Sequence, residues 1–349
     1  MNYMEVAEKW IKTGACYDYS LSNNKDTFIS ELLGQIDLKR LSELYTNYPQ
    51  YGYGKIKAII QNMFQVDKVL LGNGSEDIIW RLNRMVLRKK RTAVVIPTFY
   101  RITDTLTNPD LIRIPPNRTG CLQDVEILES LLDLSMYQVI WLTNPNSITG
   151  QAFDNHSLST LAKRYPNVMF IFDETSIINT KIMTDKYSMI PFTSFLDNIL
   201  VIRSFSKFYG LPGLRLGFLC GNERYLTEME NSSSIFPHSS SHLAVIECVS
   251  QQLGQFDQIA MEIQRNKTIL SSLLHRITFG VLPSITNCIL IYTEGERPLC
   301  ETFMDENILT MALHDYPGMD GLNSVRITVH SGKEEFGYLY NQVKRLFHV

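Results

Sequence analysis

The stretch SFSKFYGLPGLRLG, residues 204–217, decides the fold. It places Lys207 directly after a β-rich run and Arg215 eight residues further on. A lone lysine after a strand is usually a solvated surface residue. Here two hydroxyls, Ser204 and Ser206, lie beside it in sequence, and hydroxyls with a guanidinium suit a phosphate dianion, because arginine offers a fixed fork of donors. The lysine is also the amine that forms Schiff bases with carbonyl compounds.

Short β-rich runs alternate with longer helical patterns on both sides of this stretch. Such alternation predicts an α/β fold with a largely parallel sheet covered by helices on both faces. Ligands of such sheets gather at the carboxyl ends of the strands, and polar residues follow the runs here. The predicted strands are residues 68–72, 92–97, 138–145, 167–174, 199–206 and 214–221.

Asp173 ends a run that is otherwise apolar, so its carboxylate is expected at the edge of the core. An unpaired buried charge is costly, and a protonated pyridinium nitrogen would be a suitable partner. A helix cap or a structural salt bridge is the alternative interpretation of this residue.

Two further segments follow predicted strands. Gly74 and Ser75 lie between a strand and a helical run, where free backbone N–H groups bind phosphate and glycine permits close approach. Phe99 and Tyr100 follow the next strand, where an aromatic ring can stack on a flat cofactor or simply pack in the core.

Composition narrows the class of function. With 44% apolar residues, 20% charged residues and a net charge of −3, the chain is typical of a globular protein without a nucleic-acid footprint. The basic run at residues 88–91 is interpreted as a solvated connector. No apolar run reaches the roughly 18 to 20 residues that span a bilayer, and residues 1–12 lack the apolar core of a signal peptide. We therefore expect a cytoplasmic protein with no membrane and no nucleic-acid partner.

The six cysteines are scattered, without the spacing of a metal site, and we expect them to be reduced. After a Ser-rich connector at residues 232–241, further strands at 287–293 and 324–330 alternate with helices. This pattern predicts a second, smaller α/β domain. The boundaries we expect are 35–235 for the large domain, and 1–34 plus 236–349 for the small one.

Together these segments resemble the fold type I enzymes that use pyridoxal 5′-phosphate (PLP). The branch is the one that holds histidinol-phosphate aminotransferase and the threonine-phosphate decarboxylase of cobalamin biosynthesis. The resemblance runs from about residue 48 to residue 326, and residues 207–217 and 316–320 look more like the decarboxylase. It implies a mostly parallel seven-stranded sheet with a second, smaller α/β domain.

The resemblance also implies roles for individual residues. Lys207 would be the Schiff-base lysine, Asp173 the partner of the pyridine nitrogen, and Arg326 the arginine that grips the substrate carboxylate. Tyr48 matches a tyrosine that reaches the cofactor phosphate of the neighbouring subunit, so a homodimer is implied. The residues expected to contact the cofactor are Tyr48, Gly74, Ser75, Phe99, Tyr100, Ser147, Asp173, Ser176, Ser204, Ser206, Lys207 and Arg215.

Three positions depart from the family pattern. Ser147 stands where the family has the asparagine that donates to the 3′ oxygen of the cofactor, and Ser176 replaces an aromatic residue. Met311 stands where the decarboxylase has the arginine for the phosphate of its substrate. The last departure places a phosphorylated substrate in doubt.

The sequence therefore predicts a PLP enzyme that acts on an amino acid as its small-molecule substrate. Our leading interpretation is a decarboxylase of an amino acid or its O-phosphate, and the alternative is an aminotransferase of the histidinol-phosphate type. A third interpretation is a binding or regulatory protein with this fold and no catalysis. The presence of Lys207, Asp173 and Arg215 together argues against it.

Overall fold

The computed structural model describes residues 17–277, 279–319 and 321–347. Residues 1–16 of the predicted small domain, and Asp320 of the 316–320 segment, lie outside the described residues. The strands are β1 (Tyr17–Asp18), β2 (Leu70–Asn73), β3 (Thr92–Ile96), β4 (Asp110–Arg113), β5 (Val139–Thr143), β6 (Met169–Asp173), β7 (Ile199–Ser204), β8 (Leu216–Gly221), β9 (Gly280–Leu282), β10 (Cys288–Tyr292), β11 (Ile308–Leu309), β12 (Met311–Ala312) and β13 (Ser324–Thr328).

Helices connect most of these strands. The fourth α-helix, Ser75–Arg81, is continued by a π-helical turn (Leu82–Val86). The α-helices are α1 (Thr27–Gly34), α2 (Leu38–Thr46), α3 (Gly54–Phe64), α4 (Ser75–Arg81), α5 (Tyr100–Thr105), α6 (Glu126–Leu131), α7 (Asn155–Arg164), α8 (Lys181–Tyr187), α9 (Glu223–Asn231), α10 (Ser241–Gln251), α11 (Leu253–Arg276), α12 (Leu299–Met304) and α13 (Lys333–Leu346). Within the described ranges, no helix has the length and apolar character needed to cross a membrane.

Seven strands form the large sheet, in the order β2-β8-β7-β6-β5-β3-β4. Strand β8 runs antiparallel to both of its neighbours, and the other pairings are parallel. The central strands are buried along their whole length, as expected for a sheet covered on both faces. The mostly parallel seven-stranded sheet predicted from the sequence is therefore confirmed. Strand β4 was not among the six predicted runs, because it is a short edge strand with exposed residues.

Alternate side chains of the central strands enter two separate cores. On β6, Phe170 and Phe172 belong to one apolar cluster, whereas Met169 and Ile171 belong to the other. This alternation follows from the two-residue period of a strand. It leaves the carboxyl end of the sheet as the place where polar side chains emerge.

A second, antiparallel sheet has the order β12-β13-β10-β9. One of its faces packs Ile289, Ile291, Val325 and Ile327 into a core shared with residues of α11 and α13. Its two central strands match the predicted runs at 287–293 and 324–330. The outer strands, of three and two residues, were too short to be predicted.

The segment that follows β1 lies against both sheets. Thr328 of β13 donates its backbone N–H to the Tyr19 carbonyl at 2.8 Å, and the Asn24 N–H donates to the Lys207 carbonyl at 2.9 Å. The N-terminal segment is thus bonded to the second sheet and to the loop that carries Lys207. The division of the chain into the two domains proposed from the sequence stays a prediction.

Candidate active site

Asp173 and Lys207 come from two neighbouring strands of the large sheet. Asp173 is the last residue of β6 and pairs in register with Ile202 of β7, while Lys207 follows the end of β7. Because both strands run in the same direction, their carboxyl ends meet at one edge. Asp173 is only 1% exposed, and Lys207 is half-buried.

The two charges influence each other. Burial and, to a smaller extent, the positive charge of Arg326 lower the pKa of Lys207 to about 8, and Asp173 acts in the opposite direction. Burial raises the pKa of Asp173, against hydrogen bonds from Thr175 and the charge of Lys207. The Thr175 N–H donates to Asp173 Oδ1 at 3.0 Å. This site therefore holds an amine that is easily deprotonated and a carboxyl whose charge would gain from a cationic ligand.

Arg215 and Gly74 form a narrow cradle beside this edge. Gly74 has a φ of +77°, and a Cβ there would lie 2.6 Å from Arg215 Nη2, so a larger residue would strain the backbone and displace the guanidinium. Helix α4 begins at Ser75, and the first N–H groups of a helix have no partner within it. A Cβ on Gly217 would come within 2.9 Å of the Ser75 nitrogen, so this neighbour is also kept small. The cradle offers a guanidinium and backbone N–H groups to an anion.

Ser204 and Ser206 complete this part of the site. Ser204 is the last residue of β7 and is half-buried, and its Oγ accepts a hydrogen bond from the Ser206 N–H at 3.1 Å. Ser206 is 9% exposed. The Ser204 hydroxyl hydrogen remains available to an anion next to Arg215.

Two buried serine hydroxyls have no partner among the described residues. They are the Oγ atoms of Ser147 and Ser176, both of which the sequence singled out as departures from the family pattern. A buried polar atom without a hydrogen bond is costly and calls for an explanation. A bound molecule with its own polar atoms would supply the missing partners.

Arg326 enters from β13 of the second sheet. Its Nη1 donates to the Ser147 carbonyl at 2.7 Å and its Nη2 to the Ser20 carbonyl at 2.5 Å. The side chain is buried, and its Nε has no partner within the described part of the chain. Since each Nη also keeps a second hydrogen, the guanidinium is fixed in place yet still able to bind a carboxylate.

Phe99 and Tyr100 lie at the carboxyl end of β3 with their rings 5.1 Å apart. Phe99 is half-buried against one core, and Tyr100 is exposed. The Tyr316 hydroxyl donates to the Thr98 carbonyl at 2.6 Å and accepts the Tyr100 N–H at 3.2 Å. These bonds join the loop before β13 to the loop after β3.

Tyr48 is not brought into contact with the other site residues. It is 85% exposed, and its ring lies 5.3 Å from that of Phe236. The two chain segments that meet at this ring contact carry a set of exposed apolar side chains, which we call the tyrosine patch: Leu38, Tyr45, Tyr48, Tyr51, Ile235 and Phe236.

Behind Asp173 and Lys207 lies a fully buried ion pair. Arg203 Nε donates to Glu174 Oε2 at 2.8 Å, and the Ser188 hydroxyl donates to the same oxygen at 2.7 Å. Arg203 Nη1 also donates to the Asn179 side chain, which in turn donates to the Tyr209 hydroxyl. The pair therefore ties β6 and β7 together immediately behind the site.

Sequence reasoning missed the contribution of the N-terminal segment and the role of Tyr316. The Ser20 carbonyl helps to hold Arg326, and the Asn24 N–H is bonded to the Lys207 carbonyl. The only available signal was the run of short polar residues at 18–24, and it names no partner. Tyr316 lies in the 316–320 segment that resembles the decarboxylase. Its hydrogen bonds with Thr98 and Tyr100 join residues far apart in the sequence, which a local pattern does not reveal.

The residues present fit PLP. A cation, backbone N–H groups and a hydroxyl suit its phosphate, a buried carboxylate suits its pyridinium nitrogen, and an amine of lowered pKa suits its aldehyde. The two unpaired hydroxyls suit the polar substituent of its ring.

Comparison with known proteins agrees with this fit. The model of the family "aminotransferase class I and II" matches residues 16–341. The chain is 26% identical to the histidinol-phosphate aminotransferase of Staphylococcus aureus over 301 residues, which covers 84% of this chain and 83% of that protein.

Solved structures share the fold. The L-threonine-O-3-phosphate decarboxylase from Porphyromonas gingivalis has a TM-score of 0.77 at 19% identity, with 95% of this chain and 99% of that chain covered. The histidinol-phosphate aminotransferase from Sinorhizobium meliloti, in complex with PLP, has a TM-score of 0.78 at 14% identity, with 98% and 94% covered.

Proposed function

This chain belongs to the aminotransferase class I and II family, whose members depend on PLP, and from that premise we propose that it decarboxylates an amino acid. The observation that carries the proposal is the meeting of Lys207, whose pKa is lowered to about 8, with the buried guanidinium of Arg326. The amine suits the cofactor and the guanidinium suits a carboxylate. An α-amino acid presents the carboxylate that this pair requires.

When bound, PLP supplies an aldehyde for an amine and a protonated ring that withdraws electrons from the α-carbon of the substrate. In this proposal Lys207 holds the cofactor and exchanges a proton at its Nζ. Asp173 would pair with the ring nitrogen, whose positive charge would offset the cost of burying the carboxylate. Ser147 and Ser176 would donate to the ring oxygen, and Phe99 or Tyr100 would cover the ring face.

The phosphate of the cofactor is assigned to the cradle. Arg215 supplies charge-assisted hydrogen bonds, Ser204 and Ser206 add neutral donors, and Gly74 with Ser75 contributes backbone N–H groups. The absence of a side chain at Gly74 supports this assignment, because it lets the Arg215 guanidinium lie against the start of α4.

The orientation of the substrate relative to the cofactor ring decides between the two reactions, and Arg326 would hold its carboxylate in both. Decarboxylation requires the bond from the α-carbon to the carboxylate to stand perpendicular to the cofactor ring, whereas transamination requires this of the C–H bond. Arg326 is held by the carbonyls of Ser147 and Ser20, so it binds the carboxylate at a fixed position. The resemblance of residues 207–217 and 316–320 to the decarboxylase supports the first orientation.

A product assay tests the proposal. Purified protein with PLP is given threonine phosphate, serine phosphate and common amino acids, and carbon dioxide and the cofactor absorbance are both measured. We expect carbon dioxide from at least one compound, with the cofactor left in its aldehyde form. Conversion of the cofactor to its amine form, with no carbon dioxide from any compound, would contradict decarboxylation.

Transamination is the second candidate function, and the sequence relatives favour it, since those named here are histidinol-phosphate aminotransferases. In that case the amine form would accumulate without a keto acid and would be discharged when one is added. Both functions use the same lysine and the same carboxylate ligand.

We also propose that the protein is a homodimer in which Tyr48 reaches the cofactor phosphate of the partner subunit. The tyrosine patch supports this, because the two segments that meet at the Tyr48–Phe236 ring contact expose six apolar residues, and clustered exposed apolar surface is typical of an interaction site. Sedimentation of wild type and Phe236→Arg tests it. The variant should become monomeric and bind PLP more weakly, and a wild-type monomer with full PLP affinity would exclude the dimer.

A further inference from the structure

Four residues form one row across the second sheet. Leu282, Leu290, Arg326 and Met311 stand opposite one another on β9, β10, β13 and β12. Residues directly opposite on neighbouring strands project to the same face, with their Cβ atoms about 5 Å apart. Arg326 therefore has a leucine on one side and Met311 on the other, and it is the only charged member of the row.

The face that carries this row looks toward the large sheet. The opposite face is filled by the core around Ile289 and Val325. On the row's own face, Arg326 bonds to the Ser147 carbonyl, and the next residue, Ile148, belongs to the same apolar cluster as Leu290. We call this cluster the apolar wall; its members are Ile148, Leu282, Leu290, Leu313 and Met319, with Met311, Tyr292, Tyr316 and Leu322 partly buried against it.

We propose that the substrate is an α-amino acid with an unphosphorylated, apolar side chain, and that Met311 is the residue that determines this specificity. The inference rests on the proposed function in one respect: it takes Arg326 as the ligand of the substrate carboxylate. If the substrate carboxylate binds Arg326, the side chain of the substrate lies beside the apolar wall. Leu290 and Leu313 are fully buried, but Met311 is half-buried, so it presents apolar surface to a ligand.

Methionine suits this position because its flexible thioether adapts to side chains of different shape. A phosphate dianion against the wall would lose water without gaining a charged partner, which is unfavourable. One other guanidinium lies at the margin: Arg118 is exposed and sits 5.1 Å from the ring centre of Tyr292. It is the group through which a phosphorylated substrate would be bound if the inference were wrong.

The test measures affinity from the change in cofactor absorbance as amino acids are added to the PLP-loaded protein. Alanine, 2-aminobutyrate and norvaline form a series that grows by one methylene at a time. We expect about a fourfold tighter dissociation constant for each added methylene, and weaker binding of O-phosphothreonine than of norvaline. A flat series, or tighter binding of O-phosphothreonine, would overturn the inference.

Variants at position 311 test whether Met311 is the residue that determines this specificity. Met311→Ala should flatten the series while alanine binds as before, and Met311→Leu should preserve it. Met311→Arg should weaken norvaline and strengthen O-phosphothreonine by tenfold or more. If Met311→Ala still bound each longer amino acid more tightly, as the wild type is expected to, Met311 would be excluded as the specificity determinant. If O-phosphothreonine binds best and loses its advantage in Arg118→Ala, Arg118 is the phosphate ligand instead.

The Arg326→Gln variant separates this inference from the proposed function. If Arg326→Gln bound all amino acids with unchanged affinity, Arg326 would not be the carboxylate ligand. Both the inference about specificity and the proposed function would then fail. If the dissociation constant did not change along the methylene series but still rose in Arg326→Gln, only the inference about the apolar wall would fail. Because binding is read before any bond to the α-carbon of the substrate is broken, the outcome is the same for decarboxylation and for transamination.

Discussion

Lys207 and Lys267 are both buried lysines, and burial lowers the pKa of each to about 8. Their surroundings differ. Lys267 lies on α11, is 4% exposed, and donates to the carbonyls of Ser284 and Thr286 at 2.6 and 2.7 Å. No described residue accepts a hydrogen bond from the Lys207 amine. Burial and a lowered pKa therefore do not by themselves distinguish the two lysines, and the lack of an acceptor is what sets apart the lysine proposed to hold the cofactor.

The neighbouring acids Asp173 and Glu174 repeat the contrast. Both are buried, and burial raises the pKa of each. Glu174 is surrounded by Arg203, the Ser188 hydroxyl and the Met189 N–H. Asp173 receives its hydrogen bonds from Thr175 alone among the described residues. Glu174 is thus paired within the fold, whereas Asp173 is the acid proposed to contact a ligand.

The largest expected effect is on the two lysines. Lys207→Ala should abolish turnover and the covalent cofactor absorbance, a loss of about 10²-fold to 10⁴-fold or more. Lys267→Met should keep turnover per folded molecule but lower the free energy of unfolding by about 1–3 kcal/mol, because two buried carbonyls lose their donor. Steady-state assays and denaturant unfolding measure the two effects. Full activity in Lys207→Ala would refute its assignment.

The acids should separate in the same way. Glu174→Gln leaves Arg203 buried without its counter-charge, so we expect the free energy of unfolding to fall by about 3–5 kcal/mol. Asp173→Asn should lose most activity while the cofactor-free protein is no less stable, since its raised pKa shows that the folded state disfavours the charge. Thermal unfolding of the cofactor-free variants checks this. Marked destabilisation in Asp173→Asn would make Asp173 a structural residue.

The pH dependence of cofactor capture tests the state of Lys207. Its folded pKa lies below the ordinary value of 10.5, so the neutral amine that attacks the aldehyde is formed as the pH rises through about 8. The rate at which cofactor-free protein takes up PLP should rise with pH and level off above that value. Lys267→Met should leave the midpoint in place. A midpoint near 10 in the wild type would show that the site does not depress this pKa.

The smallest effect is expected at the unpaired serines. Ser147→Ala and Ser176→Ala should each weaken PLP binding by about 0.5–1.5 kcal/mol, or roughly two- to twelvefold, because each hydroxyl contributes one neutral hydrogen bond. Ser147→Asn should change the pH at which the cofactor absorbance titrates. Ser159 is a buried serine whose hydroxyl already donates to the His156 carbonyl, so Ser159→Ala is the matched control and should not alter PLP affinity. Equal affinities in all the alanine variants would exclude both serines as contacts.

Sequence patterns predicted the large sheet well because its strands are long, apolar and buried on both faces. Strand β4 failed this criterion, since only one of its four residues is buried. The short strands β9 and β12 carry too few residues for a period to show, although Met311 and its position beside Arg326 depend on β12.

The site was predictable where it is local in sequence, and not where it is assembled from distant segments. Asp173 and Lys207 follow strands that could be recognised, so their meeting at one edge follows from the fold class. The contact of Arg326 with Ser20 could not be predicted, because nothing local to either residue indicates the other. The assignment of individual residues to cofactor contacts stays a prediction.

The bond between Arg326 and the Ser20 carbonyl joins residues 306 positions apart. On the ribosome, the strands of the large sheet emerge long before Arg326 does, so most of the sheet is able to form before the proposed carboxylate ligand is in place. Contacts of such separation also slow the final stage of folding, because a long loop must close before they form. An incomplete chain that ends before β13 would therefore carry Lys207 without the arginine proposed to hold the substrate.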